Sequence, residues 1–204
     1  MKEPQTGALL AYSEPNAHLE FVMSTSVSFR QVVQEDFERL AVLYAACFAE
    51  PPWYEVFDSA VVRAEFEEML TWAEIQFWVA VDASGCVIGA GIGFNVCRKN
   101  DVSERLPPAL RNSFYIAELF VDPASRTRGV CRGLTSAIVF AAQQNGFTSA
   151  SVRTSIDQQV IRHLFVETLG YEVVGTEEVT SEKCIDGNNV QVPDTRVLMG
   201  KVQF

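Results

Sequence analysis

Residues Phe114–Gly133 read FYIAELFVDPASRTRGVCRG, and this stretch decides the fold. Phe114 to Val121 is an apolar run of strand length. It stops at Asp122-Pro123, because proline has no N–H to give to a ladder. Arg126-Thr127-Arg128-Gly129-Val130-Cys131-Arg132-Gly133 then sets three cations and two glycines where a helix begins. A helix start leaves backbone N–H groups without partners and carries partial positive charge. Glycines let a ligand come close to those amides, and arginines add charge. The stretch therefore reads as a diphosphate cradle, and not one of the Walker type, since the Lys-Ser/Thr pair is missing.

Strand, Asp-Pro, then Arg-x-x-Gly-x-(Gly/Ala) at a helix start resembles the acetyl-CoA motif of the GNAT superfamily of N-acetyltransferases. Here the motif is Arg126 to Cys131, with Cys131 where Gly or Ala is usual and Gly133 where a small residue is accepted. Leu169-Gly170-Tyr171 after a second helix strengthens the likeness. It runs from about Phe114 to Val174 and is only architectural before that.

Working outward, Val27–Val33 alternates as a first strand. Phe37, Leu40, Ala41, Tyr44, Cys47 and Phe48 fall on one helix face, which Pro51-Pro52 ends. Val62, Phe66, Met69, Leu70 and Ala73 form the inner face of a second helix. Gln76–Asp82 and Cys86–Val96 read as a hairpin turning at Ala83-Ser84-Gly85. Gly89, Gly91 and Gly93 share one bare face, which close packing or a ligand would fill. Arg98–Ser113 is long for a connection and reads as a flap or as an ordinary insertion. A helix from about Val130 to Gln144 stops at Asn145-Gly146 and leads into a strand over Phe147–Thr154, making a right-handed crossover. A further helix over about Asp157–Leu169 carries a stripe of Val160, Ile161, Leu164, Phe165 and Leu169. Tyr171–Glu182 and Gln191–Phe204 form a last hairpin around Asp186-Gly187-Asn188-Asn189. The expected fold is α/β, with a mixed, mainly antiparallel sheet of about seven strands flanked by four helices. Residues 1–24 read as an extension, with disorder open to it and Met23 as an alternative start. Residues 25–204 read as one domain.

Composition bounds the function. The 204 residues are 48% hydrophobic, enough for one sizeable core, and carry a formal net charge of −10. That charge argues against a nucleic-acid partner, which needs a basic footprint. Five scattered cysteines without a CxxC read as reduced thiols, and two histidines without a paired Cys argue against a metal site. No apolar run is long enough to span a membrane, and the first residues lack the apolar stretch of a signal peptide, so the expectation is a cytoplasmic protein. Monomer and homodimer both stay open.

Glu118 is the odd residue in the central strand. A carboxylate among apolar neighbours needs a partner or a task, and burial would raise its pKa toward that of a general base. A structural carboxylate is the other reading. Glu50-Pro51-Pro52-Trp53-Tyr54-Glu55 sets aromatics among acids. Trp53, Tyr54 and Glu55 would line a pocket for an ammonium group, or else cap the core edge.

The resemblance implies further roles. Acetyl-CoA would be the co-substrate, an amine the acceptor, and Glu118 the base. The backbone of Leu119, Phe120 and Val121 would align the thioester and its pantetheine arm. Arg126, Thr127, Arg128, Gly129, Val130, Cys131, Arg132 and Gly133 would hold the diphosphate. Gln159 stands where the family often has Asn. Val166 stands where it usually has a tyrosine acid, which together with Cys131 supports an alternative: a non-catalytic acyl-CoA-binding or regulatory module.

Overall fold

The computed structural model describes residues 21–23 and 27–203. The extension read over residues 1–24 lies mostly outside them. An eight-stranded sheet is ordered β1-β2-β3-β4-β5-β6-β8-β7. Its strands are β1 (Phe21–Met23), β2 (Val27–Gln31), β3 (Gln76–Val81), β4 (Val87–Asn95), β5 (Phe114–Val121), β6 (Ser149–Ser155), β7 (Glu172–Ile185) and β8 (Asn188–Val202). Every neighbouring pair is antiparallel except β5 and β6. The expected mixed, mainly antiparallel sheet is present, with Phe21–Met23 as an added edge strand.

Helices α1 (Phe37–Phe48) and α2 (Ser59–Met69) cover one face. Phe37, Leu40, Leu43, Val62 and Phe66 bury there against Phe77, Val79, Ile92 and Phe120. Leu70 and Ala73 do not join the inner face of α2 as expected, because the helix ends at Met69 and both side chains turn to solvent. Helix α4 (Val130–Gln144) covers the other face, with Leu134, Ala137 and Ile138 against Trp78, Ile116 and Val152. Close packing explains two of the glycines on β4. A Cβ at Gly91 would meet Leu134 and Ile138 of α4 at 3.5 Å, and one at Gly93 would strike the Phe114 ring.

The segment Arg98–Ser113 is an anchored insertion. It contains a short helix, α3 (Asn100–Ser103). Val102, Leu106 and Leu110 bury in a cluster with Phe94, Tyr115 and Leu198. Helix α5 (Gln159–His163) is shorter than expected, and a single wider turn over Leu164–Thr168 continues it. There Leu169 N–H reaches back to Leu164 O, five residues away, at 3.0 Å. Val160 does not join the expected apolar stripe: it borders the cleft and is 79% exposed, while Phe165 is fully buried.

Candidate active site

β5 and β6 begin side by side and then part. Phe114, Tyr115 and Ile116 pair with Ala150, Ser151 and Val152, and no pair follows, although β5 runs on to Val121 and β6 to Ser155. Each strand keeps its outer neighbour: Leu119, Phe120 and Val121 pair with β4, and Arg153 to Ser155 with β8. Beyond Ile116, the β5 peptide groups on the side away from β4 therefore face a gap instead of a ladder. The gap belongs to a cleft of about 690 Å³.

A bulge marks where the strands part. Ile92 of β4 pairs with Glu118 while Gly93 pairs with Ile116, so Ala117 has no partner. An extra residue re-aims the side chains that follow it. Glu118 lines the cleft in consequence, while Phe120 buries beneath Tyr44 and Phe66. Burial is the main cause that pushes the Glu118 carboxyl up to about 7. Lys99 pulls against it, Glu55 and Glu65 reinforce it, and a hydrogen bond from the Tyr44 hydroxyl lowers it. A carboxyl of that strength accepts and returns protons near neutrality. Tyr44 is itself driven upward, first by burial and then by Glu118, so it stays protonated and donates.

At the other end of the cleft, Asp122 caps the turn after β5, accepting from Ala124 N–H at 3.0 Å. The chain then enters α4 through Thr127 at φ 65° and Gly129 at φ 76°. The left-handed values uncoil the loop so that successive amides point outward. The N–H groups of Thr127 to Arg132 meet no protein acceptor among the described residues, and a Cβ at Gly129 would meet nothing within 4 Å. This is the open, amide-lined helix start that the sequence suggests.

Arg126 is already engaged. Its Nη1 pairs with Glu50 Oε2 at 2.7 Å and its Nε donates to Val121 O at 3.2 Å, so it ties the loop to the strand end. The Cys47 thiol shares that Val121 carbonyl at 3.4 Å. Arg128 and Arg132 are exposed, and no protein partner engages either among the described residues. Arg132 lines the cleft and Arg128 stands outside it. Cys131 faces the cleft, where burial pushes its thiol up to about 11, so it is a small neutral group there.

Several expected positions sit elsewhere. A Cβ on Gly133 would strike the Phe29 ring, and its N–H is bonded to Gly129 O, so it packs α4 onto the sheet instead of facing the cleft. Gln159 is exposed and its neighbours Gln158 and Val160 line the cleft in its place. Trp53 and Glu55 line the cleft and Tyr54 does not. The Trp53 ring lies beside Phe48 and under the Arg196 guanidinium, 4.7 Å from its centroid. One face of that ring thus already holds a cation. Val166 packs toward the core.

The structure adds Tyr44, Lys99, Arg153, Thr154 and Arg196 to the cleft. Arg153 carried a signal of the kind that marked Glu118, a lone charge in an interior strand. Tyr44 carried none, since it sat on an apolar helix face. Among the described residues, no helix is long and apolar enough to cross a membrane, and no three His, Cys, Asp or Glu are grouped to hold a metal.

Residues 38–171 match the model of the Acetyltransferase (GNAT) family. No curated protein matches the chain in sequence. Among solved structures, a GCN5-related N-acetyltransferase from Kribbella flavida superposes with a TM-score of 0.64 at 18% identity, over 87% of this chain and 98% of that one. A phosphinothricin acetyltransferase from Sinorhizobium meliloti in complex with acetyl-CoA gives 0.65 at 18%, over 88% and 89%. A ribosomal-protein-alanine N-acetyltransferase from Brucella melitensis gives 0.64 at 15%, over 85% and 98%. At these identities the likeness is one of fold.

Proposed function

The chain belongs to the Acetyltransferase (GNAT) family, and we propose that it moves an acetyl group from acetyl-CoA to a primary amine by direct attack. The observation that carries this reading is the parting of β5 from β6, which joins an amide-lined helix start at one end to a half-buried carboxyl, held near neutrality by desolvation, at the other.

The residues present suit the co-substrate. The amides of Thr127 to Arg132 and the side chain of Arg132 offer donors and charge to a diphosphate. Arg126 holds the loop in place through Glu50 and Val121. The open edge of β5 offers N–H and C=O groups to an extended amide-bearing arm, as an added strand would be held. Its amides also stand ready for the charge that develops on the thioester oxygen. Glu118 accepts the proton from the attacking ammonium, directly or through water, so that the nucleophile is a neutral amine. With Val166 turned toward the core, the departing thiolate takes its proton from water. A free thiol's pKa of about 8.5 leaves a dedicated acid unnecessary.

The Val166 position also favours a second reading, a non-catalytic acyl-CoA-binding module. One experiment separates the two. Thiol release from acetyl-CoA is followed over a panel of amines, with mass detection of the acetylated product. Transfer predicts amine-dependent release and a product heavier by one acetyl group. Binding of acetyl-CoA by calorimetry, without release for any amine, would leave only the binding module.

A further inference from the structure

The acceptor half of the cleft holds an arrangement of charge that transfer alone does not use. In a chain of net charge −10, three cations face this half: Lys99, Arg153 and Arg196. Two of them are braced from behind. Arg153 Nη1 lies 3.2 Å from Asp101 and 3.3 Å from Glu177. Arg196 Nε lies 3.0 Å from Asp194, and its Nη2 donates to Ser181 at 3.0 Å. None of those three acids lines the cleft. Lys99 differs, because its ammonium has no hydrogen bond or ion pair among the described residues.

The backbone of Lys99 is nonetheless fixed. Its N–H donates to Val96 O at 2.8 Å, and its carbonyl accepts from Val102 and Ser103 at 2.9 and 2.8 Å. The anchored insertion holds it there, and the neighbouring Arg98 is drawn away over the Trp72 ring. Among the described residues, the acids lining this half are Glu118 and Glu55, and Glu65 lies near enough to act on Glu118. Glu55 already sits in the field of Arg196 and Lys183. Lys99 is therefore an exposed cation on a fixed backbone at the cleft edge, without an ion pair among the described residues and close enough to Glu118 to favour its ionised form.

We propose that the acceptor is an amine that also carries a carboxylate, and that Lys99 recognises that carboxylate while the amine faces Glu118. The proposal rests on the transfer reading above and names its substrate class. The acids that pair with Arg153 and Arg196 lie outside the cleft, so the side chains these two positions present to its lining are cationic donors suited to an acceptor's anionic group.

The test compares amino acids with their own carboxamides, and with linear diamines, as acceptors in the thiol-release assay. Wild type, Lys99→Ala and Lys99→Arg are measured. The expected best acceptor carries a carboxylate, and its carboxamide has a kcat/KM about ten- to a hundredfold lower, the range of a hydrogen bond to a charged group. Lys99→Ala collapses that ratio toward one by raising KM for the amino acid, and Lys99→Arg restores most of it. Thermal melting checks that both variants fold. Equal use of carboxamides, a preference for diamines, or a ratio untouched by Lys99→Ala would overturn the carboxylate reading and leave acetyl transfer standing. Bound acetyl-CoA with no release for any amine would overturn both.

Discussion

Replacing Glu118 by Gln should cost activity and gain stability, and the gain should depend on pH. The folded-state pKa of about 7 lies above the 4.5 of an unperturbed glutamate. Between those values the native protein keeps a proton that the unfolded chain has released. Stability therefore falls as pH rises from about 4.5 to 7 and stays lowered above that. A shift of this size corresponds to about 3 kcal/mol at pH 8 and to less than about 1 kcal/mol at pH 5. Gln has nearly the same shape and never ionises, so Glu118→Gln removes the penalty. Its melting temperature should exceed that of the wild type by several degrees at pH 8 and by little at pH 5. In the acetylation assay the same variant should lose about 10²- to 10⁴-fold in kcat/KM above pH 7. It should also lose the rising limb expected of the wild type through pH 7. Differential scanning calorimetry and thiol release on one pair of proteins measure both effects. A variant destabilised equally at the two pH values, or one with an unchanged pH profile, would refute the assignment of Glu118 as a desolvated base.

Arg132→Ala should raise KM for acetyl-CoA about tenfold with little change in melting temperature, because the side chain has no protein partner among the described residues; calorimetric titration with CoA reads this directly. Arg126→Ala should weaken CoA binding and also lower the melting temperature, since it frees Glu50 and the Val121 carbonyl; parallel melts of the two arginine variants separate the roles. Gly133→Ala drives a methyl group into Phe29 and should cost about 1–3 kcal/mol, with partial rescue by adding Phe29→Leu, measured by denaturant unfolding. Leu106→Ala empties a buried site under the insertion and should cost about 2–5 kcal/mol. If Arg98–Ser113 were a loose flap instead, that substitution would leave the denaturation midpoint unmoved.

The open helix start was legible in the sequence because its parts are contiguous. Strand, Asp-Pro turn, arginines and Gly129 all lie within twenty residues, and each acts through local backbone geometry. Glu118 was legible because a carboxylate inside an apolar run contradicts its surroundings. The parting of β5 from β6 was not legible from either strand, since it is a property of their pairing and of a bulge at Ala117. The other half of the cleft was less legible still. Tyr44, Lys99, Arg153 and Arg196 come from four distant segments and meet only when the sheet assembles. The loop Glu50–Glu55 offered two readings, and neither announced that Arg196, more than 140 residues away, would cover Trp53. Gly133 shows the converse error: a glycine beside a ligand motif can be demanded by packing on a distant ring.

The most direct test is a crystal structure of the chain grown with acetyl-CoA. The diphosphate should accept hydrogen bonds from amides between Thr127 and Arg132, the arm should run along the open edge of β5, and the thioester should end beside Glu118. Density for the coenzyme on another surface, with this helix start bare, would contradict the account.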